Sequence, residues 1–140
     1  MIEMGGSSDL RELFRSYLRA RDTYFSNAEE AASKNEFRKA SELLWGAITQ
    51  SIKALASLSN RYITNHKQFF DFTRDVSKEL GDEGYHTLFL ELNTLHKNFY
   101  DEEIPSIDFP IFHKKALLFL RKTEELITKE KQTSVTSQMD

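Results

Sequence analysis

Residues 31–56 read AASKNEFRKASELLWGAITQSIKALA, and the period of their apolar positions decides the fold. Phe37, Ala40, Leu44, Ala47, Ser51, Leu55, Leu58 and Tyr62 follow one another at steps of three and four, drawing one seam along a helix. Trp45, Ile48, Ile52 and Ala56 widen that seam on its flank. A helix apolar around much of its circumference is one buried between neighbours. The segment is therefore the centre of an all-α bundle. Read from Glu36 to Tyr62, it spans roughly 40 Å at 1.5 Å per residue. Gly46 falls in its middle, where glycine costs about 1 kcal/mol against alanine, and marks a close approach to a neighbouring helix. Lys34 and Asn35 make a very short turn just before it, which implies an antiparallel hairpin with the helix upstream.

The same period extends in both directions. Upstream, Leu10, Phe14, Tyr17, Leu18, Tyr24, Phe25, Ala28 and Ala32 trace a first helix. Asp9 and Glu12 have capping-box spacing, so this helix is expected to start at Ser8 or Asp9, after a mobile Gly- and Ser-containing stretch, 1–7. Downstream, Asn65 and Gln68 predict the cap of a third helix carrying Phe69, Phe70, Phe72, Val76 and Leu80. Gly81 and Gly84 bracket the next turn. A fourth helix places Tyr85, Leu88, Phe89, Leu92, Leu95, His96 and Phe99 on one face and is expected to fray at Asp101, Glu102 and Glu103, acids at the negative end of its dipole. The connector IPSIDFP, 104–110, holds both prolines and cannot be continuous helix. Ile104, Ile107 and Phe109 are expected to pin it to the bundle. Asp108 is placed to cap a fifth helix, with Pro110 in its first turn. From Lys131 the chain turns polar and reads as a disordered tail, 131–140. The expectation is one antiparallel up-and-down bundle of about five helices in a single domain, 8–130.

Composition removes several function classes. The 140 residues are 39% apolar and 29% charged, with eleven Phe, five Tyr, one Trp and no Cys. Without cysteine there is no disulfide framework, thiolate metal site or cysteine nucleophile. A net charge of −3 does not fit a strongly basic nucleic-acid-binding domain, and RNA stays open only through local patches. No apolar run approaches the ~20 residues of a membrane span, and MIEMGGSS has no signal-peptide core, so the chain is expected in the cytoplasm.

The residues that could carry chemistry are few. Arg61 and His66 have the Arg-x-x-x-x-His spacing of one class of metal-independent ribonucleases. There an imidazole moves a proton while a guanidinium steadies phosphate charge. The Asn65 cap, however, places a helix break between them. His96 is a second candidate imidazole. Glu83 and His86 make a single Glu-x-x-His, and a carboxylate di-metal bundle needs two; no metal and no cofactor is expected. Arg11, Arg15 and Arg19 form a basic stripe, read as a solvated face with Glu12 and Asp22 as partners. Lys53 lies in an apolar run, where a lysine usually snorkels outwards. A cleft between helices could instead bring Lys53, Tyr62, Asn98 and Tyr100 together around a nucleotide or other small ligand.

Ala40, Glu42, Trp45-Gly46-Ala47 and Lys53-Ala54-Leu55-Ala56 carry a family likeness. This stretch resembles the archaeal PaREP family of small helical proteins. More widely it resembles the HEPN-type bundles associated with nucleotidyltransferases. The likeness is strongest over 24–66, with His66 in the place of a histidine that precedes the third helix, and extends more loosely to 101. It implies a bundle that often dimerises. In catalytically active HEPN members the arginine and histidine of the ribonuclease motif lie near the fourth helix. The matching stretch here, Leu95-His96-Lys97-Asn98-Phe99-Tyr100-Asp101, holds no arginine. The resemblance thus implies a non-catalytic interaction module acting as a homodimer, with a nucleotidyltransferase as one kind of partner. Its rivals are a metal-independent ribonuclease or toxin–antitoxin component, and the small-ligand or nucleotide-binding bundle.

Overall fold

The computed structural model describes the backbone of residues 2–101 and 104–139 and the side chains of residues 9–97 and 104–133. Five α-helices follow in order: α1 Ile2–Ser33, α2 Phe37–Ser57, α3 His66–Leu80, α4 Gly84–Asp101 and α5 Phe109–Met139. A single 3-10 turn, Ser106–Asp108, precedes α5, and the described residues contain no strand. The all-α bundle read from the sequence is the fold observed.

The residues that make α2 central are visible in its burial. Ala40, Leu44, Ala47, Ile48, Ile52, Ala54 and Ala56 are wholly buried, and their faces pack against α1, α4 and α5. Both seams of the helix are consumed inside the bundle. Ser51 and Ser57 are buried among them because each hydroxyl donates to a carbonyl of its own helix, Ile48 O and Ala54 O, at 2.7 Å. A small side chain satisfied in this way can face a neighbouring helix without needing a polar partner there. Gly46 is the close approach expected: a Cβ built on it would lie 2.8 Å from Tyr24 Cδ1 on α1.

Helix ends follow one device three times. The N–H of Glu36 donates to Ala31 O, that of Arg61 to Ala56 O and that of Asp82 to Ser77 O. In each case the preceding residue is left-handed: Asn35 at φ 61°, Asn60 at φ 59° and Gly81 at φ 66°. These are Schellman stops, with asparagine standing twice where glycine is commonest. Asn60 corrects one expectation. The second helix does not run to Tyr62 but ends at Ser57, about 32 Å long by the same rise per residue, and Tyr62 lies outside it and exposed. The start of α3 is as read: Asn65 Oδ1 accepts from the Gln68 N–H at 3.1 Å, and the Gln68 side chain reaches back to the Asn65 N–H.

The outer boundaries differ more. α1 begins at Ile2, ahead of the expected Ser8–Asp9 start and through the stretch 1–7 read as mobile. α5 continues to Met139, through the tail read as disordered from Lys131. Once nucleated, a helix gains a backbone hydrogen bond for each further residue it fixes, and neither stretch contains a proline to stop it. Of the fray expected at Asp101–Glu103, Asp101 is the last residue of α4, and positions 102 and 103 fall outside the described residues. In the connector, Ile104 and Phe109 are buried as expected, but Ile107 is 85% exposed, because the 3-10 turn faces it outwards.

α5 closes the bundle antiparallel to α1. Arg21 donates to Glu124 at 2.5 Å, and His113 Nε2 donates to Glu29 Oε1 at 2.5 Å. Within the core, the Thr123 hydroxyl donates to Phe119 O, so it accepts from the buried Tyr85 hydroxyl at 2.9 Å. Burial pushes the Tyr85 phenol well above its ordinary value.

A candidate imidazole site on a tryptophan floor

Three helices bring their functional side chains to one place. On α2, Glu42 and Trp45 are spaced i, i+3 and share a face. On α4, Phe89 and His96 are two turns apart and both stack on the Trp45 indole, at centroid distances of 5.3 and 5.5 Å. On α3, His66 is the first helical residue and Phe70 lies one turn on. Their rings meet edge to face at 5.1 Å, and Phe70 meets Phe89 in the same way at 5.1 Å. The Asn65 capping box fixes where α3 begins and so delivers His66 to this spot. The result sets His66 and His96 with ring centroids 5.8 Å apart over a buried Trp45.

The two imidazoles differ in surroundings. His96 Nδ1 lies 3.0 Å from Glu42 Oε2, and both side chains are 31% exposed. A carboxylate at that distance orients the ring and pairs with its protonated form. Among the described residues, His66 has no such acid bonded to it. Burial, then the neighbouring His96, hold its pKa below the ordinary histidine value. Two titratable groups made unlike by their environments can divide acid and base roles. One imidazole is disposed to stay neutral and accept a proton, and the other is paired with a carboxylate.

The structure thus joins two of the three sequence candidates and separates the third. The Arg61 guanidinium is held by Asp75 at 3.0 Å and lies 4.9 Å over the Phe72 ring. The left-handed Asn60 ends α2 just before Arg61 and sends it to that face of α3, so the Arg61–His66 spacing is not a spatial pair with phosphate between. Lys53 Nζ sits 6.0 Å over the Phe69 ring, whereas Tyr62 lies beside Tyr17 of α1, whose phenol is raised by burial and by Tyr62. The side chains of Asn98 and Tyr100 lie outside the described residues. His86 is a structural histidine: its Nδ1 meets Thr73 Oγ1 at 2.8 Å and its backbone N–H donates to Ser77 Oγ at 2.8 Å. Burial and Arg74 lower its pKa. No group of three or more His, Asp or Glu among the described residues is arranged to hold a metal ion. Asp22, expected to pair with Arg19 of the basic stripe, pairs with the adjacent Arg21 at 2.9 Å.

Sequence reasoning missed the meeting of His66 with His96 and the part played by Glu42. Helical register carried only a partial signal, since it put Glu42 with Trp45 and Phe89 with His96 on common faces without saying that the faces meet. No helix among the described residues is long and apolar enough to cross a membrane. No curated protein matches the chain. Residues 16–120, well over half of the sequence and including every residue of this site, match the model of the archaeal PaREP1/PaREP8 family, and the chain belongs to that family.

Proposed function

We propose that this chain is a non-catalytic helical interaction module of the HEPN type, working in the cytoplasm as a homodimer that engages a protein partner such as a nucleotidyltransferase. The observation that carries the reading is the apolar ridge at the start of α5. Ile107 is 85% exposed and Ile111 is 54% exposed, four residues apart. Fully burying an isoleucine contributes about 1.5–3 kcal/mol, so a two-fold contact that covers this ridge on both copies gains from it twice. Light scattering on the purified chain is expected to give the mass of a dimer. The pair Ile107→Glu and Ile111→Glu is expected to give a monomer with unchanged helical circular dichroism. A wild-type chain that stays monomeric at high concentration would sink the reading.

A second reading, metal-independent RNA cleavage, is favoured by the approach of His66 to His96. A neutral His66 would take the proton of a ribose 2′-hydroxyl as its oxygen attacks phosphorus. His96, oriented by Glu42, would protonate the departing 5′-oxygen and leave a cyclic phosphate. This reading requires cleavage of single-stranded or structured RNA that survives a chelator and is lost in both His66→Ala and His96→Ala. Clean protein that leaves both RNAs intact removes it.

A further inference from the structure

We infer that His66 and His96 form a proton-operated latch, which holds the first turn of α3 against Trp45 while His66 is neutral and releases it when His66 takes up a proton beside His96. The inference goes beyond the dimer reading and does not depend on it. α3 leans mainly on α4, and its contact with α2 is slight. Its C-terminal half is tied by Thr73 and Ser77 to His86 of α4. Its N-terminal turn is held by Phe69 in the core, with Lys53 Nζ of α2 6.0 Å over its ring, and by the His66 ring against Trp45 and His96. The Asn65 box is internal to α3 and its lead-in, so it moves with the turn and does not tie it down.

Three features disfavour a proton on His66 in the docked position, and all have the same sign. Although the residue is exposed overall, its ring lies against the aromatic faces of Trp45 and Phe70. It stands 5.8 Å from His96, which when protonated is an ion pair with Glu42. It is also the first residue of a helix, where the dipole is positive and a cation is unfavourable. The surrounding charges do not offset this. Among the described residues, α2 presents Glu42, already paired with His96, with Arg38 one turn before it and Lys53 over Phe69. α4 presents His96 and the exposed Lys97 beyond it. α3 itself presents Lys67, tied to Asp71 at 3.1 Å. The Trp45 face that could steady one imidazolium is already covered by His96.

The sign follows from linkage. His66 has a lower pKa docked than in water, so the undocked state binds the proton more readily. Docking is fully favoured above the ordinary histidine range and weakens as pH falls through the docked value. Release uncovers the part of the Trp45 indole that His66 covers, and the Phe70 ring, so acid would open an aromatic surface that neutral pH keeps shut.

The chain has a single tryptophan, and it sits in the latch. Acrylamide quenching of its emission should therefore be followed from about pH 8 to about pH 5, across the histidine range, with helical circular dichroism measured in parallel. The expected result is at least about a twofold rise in quencher access through one transition, with helix content retained. His66→Gln should abolish the rise and His96→Gln should reduce it. His86→Gln, which alters the other histidine with a lowered pKa, should leave it intact. Access that stays constant across the interval in the wild type overturns the latch. So does a rise of equal size in His66→Gln, or one abolished by His86→Gln.

Discussion

Phe89→Ala is expected to destabilise the fold by about 3–5 kcal/mol, the usual cost of truncating a buried phenylalanine. Phe89 is wholly buried, and its ring touches Trp45 of α2 at 5.3 Å, Phe70 of α3 at 5.1 Å and Phe119 of α5 at 6.0 Å. One side chain on α4 therefore joins three other helices. Its neighbours cannot close the gap easily, because Trp45 is fixed on its other side by His96 and Phe119 is stacked on Tyr85 at 4.6 Å. Against a typical stability of about 5–15 kcal/mol, the loss is a large fraction of the total. Urea unfolding followed by helical circular dichroism measures it, and Trp45 emission should shift already in the folded baseline as the indole loses a stacked partner. The adjacent Leu90 provides the contrast. It is 46% exposed, so Leu90→Ala should change stability by no more than about 0.5 kcal/mol. A Phe89→Ala loss near that of Leu90→Ala would mean that α4 does not present this face to the core.

The contrast between Phe89 and Leu90 was legible in the sequence, because a helix's buried face repeats every turn and the α4 pattern is unbroken. The Asn65 box and the Gly46 contact were legible for the same reason: each is a local rule that one turn of chain settles. The end of α2 was not. Leu58 and Tyr62 continue the apolar seam on paper, and only the left-handed backbone at Asn60 shows that the seam is cut. Asparagine permits that conformation without demanding it, so the residue name alone was ambiguous. Ile107 fails in a similar way, since a non-helical connector has no period to say which isoleucine turns inwards. The site was least legible of all. His66 and His96 were each picked out singly, but their meeting depends on where α3 crosses α2 and α4. That crossing is set by side-chain packing, not by spacing. Arg61 shows the opposite error, in which a suggestive spacing was undone by the turn lying before it.

Gly46→Leu should lower stability by about 1–3 kcal/mol, the range for overpacking a close contact, and the cause can be assigned to one ring. A Cβ at position 46 would lie 2.8 Å from Tyr24 Cδ1, 2.9 Å from Cε1 and 3.0 Å from Cγ. Carbon atoms prefer about 3.5–4.0 Å, so the Tyr24 ring has to move. It can do so in part, because Tyr24 is 39% exposed and has solvent on one side. A leucine needs the whole notch and displaces the ring outright. An alanine sets two terms of similar size against each other: alanine is favoured over glycine by about 1 kcal/mol within a helix, while the shifted ring loses part of its packing on α2. The single change Gly46→Ala is therefore expected to be close to neutral. In a Tyr24→Ala background the clash is gone and the propensity term stands alone, so the same change should stabilise by about 1 kcal/mol. The double-mutant cycle measures the coupling between the two positions directly. If Gly46→Ala has the same effect with and without the Tyr24 ring, then α1 does not cross α2 at this notch, and the tight hairpin that sets the rest of the bundle is packed in some other register.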